Sequence, residues 1–132
     1  MGYETKAIIG NKTNSKFGMD AYYFSIISTV DLRSCGHSGA LPNLITKATR
    51  GDNSYEDVFA YITNSDKADT EDRYGDKLRA VPIKEVYNAL IESMENDNSH
   101  KEGYRKYNLL KSVLEAHMTE QFSDLYVILY GY

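Results

Sequence analysis

The apolar residues Ile83, Val86, Tyr87, Leu90, Ile91 and Met94 recur at i, i+3, i+4, i+7, i+8 and i+11. That is the period of one face of an α-helix. A stripe this wide has to be covered by another apolar surface, so the segment predicts a helix laid on a sheet or on a second helix. Pro82 opens it, at a position where a first turn tolerates proline. A second helix is expected after "ENDNS". Ser99 and Glu102 form an S-x-x-E capping box there, and Tyr107, Leu110, Leu114 and Met118 continue the stripe to about Phe122.

The rest of the chain has strand character. "YETKAII", Tyr3 to Ile9, is short, β-branched and roughly alternating, and "GNKTNSKFG" after it is rich in turn formers. "AYYFSIISTV", Ala21 to Val30, is too continuously apolar to leave one face in water, which fits a well-covered strand. These two should pair antiparallel. "KLRAV" reads as a short strand, and the terminal "LYVILYGY" is apolar on both alternating faces. Such a strand lies centrally in a sheet or offers an edge to a partner.

Between these lie three segments of different kinds. "PNLITKATRG" carries Pro42 near its start, Lys47 and Arg50 near its end and Gly51 as a stop, which predicts a short helix. "SYEDVFAYIT" places Tyr55, Val58, Phe59 and Ile62 on one helical face while using residues that favour strands; we read it as helix. Residues 64–77 are polar, charged and nearly devoid of core residues, and are expected to form an exposed acidic loop. The order β-β-α-(α)-β-α-α-β defines an α+β fold. The expected form is two-layered, a mixed or antiparallel sheet of about four strands covered by the amphipathic helix pair.

A chain of 132 residues supports one hydrophobic core, so residues 1–132 are read as a single domain. No apolar run approaches the length that crosses a bilayer, and the N-terminal "MGYETK" has neither an apolar signal region nor a myristoylation pattern. One cysteine cannot form an internal disulfide. Together these set the expectation of a cytoplasmic protein with no membrane partner. The net charge is −4, concentrated where residues 51–76 hold eight acids against Lys67 and Arg73. No basic stripe able to neutralise several phosphates is present, which disfavours direct nucleic-acid binding.

The segment "DLRSCGHSGALPN" carries several partial catalytic patterns. "GHSGA" resembles the G-x-S-x-G nucleophile elbow, and Ser38, Asp97 and His117 even follow the α/β-hydrolase order. Yet Ala40 replaces the final glycine, and Ser38 lies eight residues beyond Val30, whereas an elbow follows its strand directly. Cys35 and His37 lack a third group, and His100 and His117 complete no standard zinc spacing. The acids of residues 64–77 fit no register of a calcium-binding EF-hand loop. No catalytic residue, metal ligand or cofactor is assigned. The expectation for this loop is narrower: Arg33, Gly36, His37, Ser38 and Gly39 could hold a nucleotide or other anion through backbone N–H groups at a helix start.

The twelve tyrosines are the most unusual feature of the composition. Tyrosine offers large apolar area with a polar tip and is enriched at interfaces. A short, Tyr- and Asn-rich single domain without enzyme motifs is similar to accessory proteins of bacteriophages, several of which inhibit host defence systems by occlusion or charge mimicry. That resemblance, together with the acidic segment, implies a non-enzymatic interaction protein that binds a host protein or complex. The expected partner-binding residues are Asp66, Asp69, Glu71, Asp72, Tyr126, Tyr130 and Tyr132, and a homodimer through the Tyr-rich terminal strand is the expected assembly. The alternative function is a small nucleotide- or anion-binding protein or enzyme using the 34–40 loop.

Overall fold

The structure is a computed structural model describing residues 5–13, 21–32, 40–50, 55–64, 66–96, 101–118 and 125–132. Its elements are β1 (Thr5–Lys12), β2 (Tyr22–Asp31), α1 (Ala40–Arg50), β3 (Glu56–Phe59), β4 (Arg79–Pro82), α2 (Ile83–Asn96), α3 (Lys101–His117) and β5 (Tyr126–Gly131). The class is α+β, and the sheet is mixed. It has five strands where about four were expected, and it curls into a closed barrel in the order β1-β2-β3-β4-β5 in place of a flat layer. All pairs are antiparallel except β2 with β3. A parallel pair needs a crossover between its strands, and α1 supplies it.

Closure explains the two-faced apolar pattern of the last strand. In β5 the side chains of Ile128 and Tyr130 enter the barrel interior with Ile8, Phe24, Val58, Leu78 and Ala80. The alternate residues Val127 and Leu129 turn outward with Ala7 and Ile9, onto a second core shared with Ile83, Val86, Leu90, Leu110 and Leu114 of α2 and α3. The period of two in the strands thus meets the period of 3.6 in the helices at one wall of the barrel. Flanked by β1 and β4, β5 takes the first of the two placements its sequence left open, inside the sheet. The stripe on α2 is likewise buried through Ile83, Val86 and Leu90.

The segment around residues 55–62 corrects its sequence reading. It forms strand β3 and its extension, not a helix, with Val58, Ala60 and Ile62 alternating into the interior. Its β-branched and aromatic residues find pairing partners in β2 and β4, and that tertiary pairing outweighs a loose helical spacing. Strand β1 also runs three residues further than its composition suggested. Gly10 makes this possible: a Cβ there would lie 2.0 Å from the Ser25 carbonyl oxygen and 2.8 Å from the Phe24 ring. Next to this close approach the β1–β2 ladder shifts register, and Ile27 becomes the extra residue of a bulge.

Buried hydrogen bonds add to the apolar packing of the helices. Ser93, fully buried on α2, accepts a 2.8 Å hydrogen bond from the N–H of Leu41 in the first turn of α1. That satisfies one of the donors a helix start leaves over. The Ile83 N–H, at the start of α2, donates to the Leu125 carbonyl at 3.1 Å, coupling the helix start to the entry of β5.

Candidate protein-binding surface

The acidic segment between β3 and β4 is an ordered platform built by two aspartates. Asp69 pairs with Ala60 through backbone bonds of 2.8 and 3.1 Å. Its carboxylate accepts from the N–H groups of Ile62 and Thr63 and from the Thr63 hydroxyl. Burial pushes this carboxyl up, but those N–H groups, the hydroxyl and the charge of Lys67 more than offset it and leave it below the usual carboxylate range. Asp72 organises the next turn. Its Oδ1 accepts from the N–H groups of Tyr74 (2.8 Å) and Asp76 (3.0 Å), and Gly75 closes the turn at φ +84°, a conformation glycine adopts without strain.

This platform is bonded to the end of β5. The Gly131 N–H donates to Asp72 Oδ2 at 3.3 Å, and the Arg73 N–H donates to the Gly131 carbonyl at 3.1 Å. The Tyr74 hydroxyl donates to the Tyr132 carbonyl at 3.0 Å, and the Tyr132 hydroxyl donates to Asp31 on β2 at 2.5 Å. Lys6 places its ammonium 5.1 Å from the ring centroids of both Tyr130 and Tyr132, within cation–π range. The acidic loop, Tyr130 and Tyr132 therefore share one end of the barrel.

The seven residues expected to bind a partner are divided by this arrangement. Asp66 and Glu71 are exposed, and Tyr132 is half-buried among them. Asp69 and Asp72 spend their oxygens inside the protein. Tyr130, 2% exposed, belongs to the interior core, where burial, with Asp69 and Asp72 adding, raises its hydroxyl above the ordinary value against the pull of Arg73. Tyr126 lies at the opposite end of β5, about 20 Å from Tyr132 at the usual strand rise. There its ring and that of Tyr22 flank the Lys12 ammonium, which also pairs with Glu56.

Two exposed tyrosines join the surface without having been singled out. Tyr74 stands 47% exposed in the Asp72 turn, and Tyr61, 44% exposed, precedes the Ile62 that Asp69 holds. Tyr74 falls within the 64–77 stretch expected to be a loop, but only the fold shows that its hydroxyl reaches Tyr132. Residues 33–39, with Arg33, Gly36, His37, Ser38 and Gly39, lie outside the described residues, as do Cys35, Asp97 and His100. His117 is described and meets Ser28 on β2, its Nε2 3.3 Å from the serine oxygen.

Among the described residues, no group of three or more His, Cys, Asp or Glu is arranged to hold a metal ion, and no helix is long and apolar enough to cross a membrane. Compared with known proteins, the chain matches no protein-family model, no curated protein and no solved structure.

Proposed function

We propose that this chain is a non-enzymatic protein-binding module that docks the loop–β5 end of its barrel onto a basic surface of a protein partner. The observation that carries the reading is the 3.0 Å bond between the Tyr74 hydroxyl and the Tyr132 carbonyl. It holds an exposed aromatic ring on the same platform as the exposed carboxylates of Asp66 and Glu71. Rigid tyrosines supply contact area at little entropic cost, while charges around them steer and select the partner. The compositional likeness to bacteriophage accessory proteins suggests a host defence or nucleic-acid-processing complex as the target, met in the cytoplasm and inhibited by occlusion.

The test is affinity capture from host lysate with the wild-type chain and with a variant carrying Asp66→Lys, Glu71→Lys and Tyr74→Ala, read by mass spectrometry and native mass. The expected result is a stoichiometric protein partner that the triple variant loses while its circular dichroism is unchanged. A partner retained by the variant, or a co-purified nucleotide or small anion in place of a protein, would overturn the reading.

A further inference from the structure

The barrel closes through a β2–β3 contact of only two residue pairs, Tyr22 with Val58 and Tyr23 with Phe59. Beyond it, β2 continues to Asp31 with β1 on one edge. From Ser25 to Val30 no backbone group of the described residues pairs with its other edge. The other four strands are each flanked on both sides, β5 by β1 and by β4 with the Asp72–Arg73 turn beyond it. β5 is thus paired with β1 along Tyr126–Gly131, and on its other edge with β4 at Tyr126 and Val127 and with the Asp72–Arg73 turn at Gly131.

Apart from the bulge at Ile27, the stretch lacks the protections that edge strands usually carry. Such edges are blunted by lysine, proline, short length or inward charges. "SIISTV" has no charged residue and no proline. Its middle instead presents Ile26 and Ile27, 38% and 45% exposed. The bulge at Ile27 adds local twist, which limits a straight ladder to a few residues on either side.

We propose that this edge is the dimerisation strand, occupied by β2 of a second copy running antiparallel about a two-fold axis. The charge pattern favours a copy of this chain over a basic or acidic peptide. An uncharged strand offers a charged peptide no counter-ion, whereas two such strands meet without repulsion. With the axis between Ile27 and Ser28, Thr29 of each copy faces Ile26 of the other, and Asp31 falls opposite Phe24. Each Asp31 then lies two strands, about 10 Å, from the other copy's Lys12, because Lys12 is the β1 neighbour of Phe24. The two acidic ends stay at opposite ends of the new ladder. Asp31, which holds the Tyr132 hydroxyl, falls in the new ladder, but the ladder uses none of Asp66, Glu71 and Tyr74, so its failure and that of the binding proposal are separate.

The experiment is sedimentation equilibrium of the full chain from about 1 μM to about 1 mM, a range spanning weak to moderate affinities, with amide hydrogen exchange at both limits. A reversible monomer–dimer equilibrium is expected, with Ser25–Val30 more protected at high concentration. Ile27→Lys should weaken dimerisation at least about tenfold with unchanged circular dichroism, and Leu109→Lys, on the exposed face of α3, should leave it intact. A monomer throughout the range would overturn the proposal. So would a dimer indifferent to Ile27→Lys, or one lost in Leu109→Lys.

Discussion

The carboxylate of Asp72 and the backbone N–H of Gly131 meet at 3.3 Å across 59 residues of chain. With the N–H groups of Tyr74 and Asp76, the glycine completes a set of three donors around one buried side chain. Hydrogen bonds to a charged group are stronger than neutral ones, and leaving several donors unpaired costs each of them its desolvation. Asp72→Ala should therefore lower the unfolding free energy by about 3 kcal/mol. Asp72→Asn, which keeps one acceptor oxygen, should cost less. Urea unfolding of the two variants checks both the size and the order.

Gly10 admits no side chain. A methyl group there would meet the Ser25 carbonyl oxygen at 2.0 Å, and backbone cannot rotate aside as a side chain can. Gly10→Ala should cost about 3 kcal/mol, the upper part of the overpacking range. Amide exchange should accelerate first along Gly10–Lys12 and Tyr22–Ser25. An alanine variant as stable as the wild type would mean that β1 and β2 are further apart than described.

Asp69 ties stability to acid pH. Its folded carboxyl lies below the unfolded value, near about 3.9, because donors from Thr63 and Ile62 outweigh burial. A depressed carboxyl contributes stability that is fully present above the unfolded value and is lost as pH falls through the folded one. The gap between the wild type and Asp69→Asn should be constant above about pH 5 and narrow below about pH 4. Chemical denaturation at a series of pH values measures it, and a gap that persists unchanged to the acid limit would contradict the assignment.

Lys12 is held by rings as well as by charge. Its ammonium lies 4.4 Å from the Tyr22 centroid and 5.4 Å from that of Tyr126, with Glu56 as ion-pair partner and 11% of the side chain exposed. Lys12→Ala should cost about 1–2 kcal/mol through lost cation–π contact and lost packing of the stem. Lys12→Met, which keeps the stem, should recover part of that in thermal unfolding. If the methionine variant is as poor as alanine, the charge alone sets the contribution.

Much of this architecture was legible in the chain because local rules act there without competition. The stripe from Ile83 to Met94, the proline in the first turn of α1 and the doubly apolar "LYVIL" each describe an element whose burial follows from its own period. What could not be read depended on pairing. Residues 55–62 satisfy a helical spacing, and only β2 and β4 on either side make them a strand. Gly10 looks like a turn former until Phe24 is laid over it. The site divides in the same way. Acidity and tyrosine content singled out the 64–77 segment and the end of β5, but which carboxylates face solvent depends on backbone donors: those of Ile62 and Thr63 for Asp69, and those of Tyr74, Asp76 and the distant Gly131 for Asp72. Asp72 is spent on Gly131, while Glu71, its neighbour, is exposed.

The seam between β1 and β5 sets the order in which this barrel can assemble. Thr5 sits opposite Gly131 and Gly10 opposite Tyr126, so the first strand of the described fold waits for the last before its second edge is satisfied. Contacts of such separation carry a large loop-closure cost and make folding slow for the size of the domain. Until Val127, Ile128 and Leu129 are in place, Ile9, Ile8 and Ala7 have ladder partners on β2 alone. A chain stopped short of β5 would lose the wall on which α2 and α3 bury their apolar stripes.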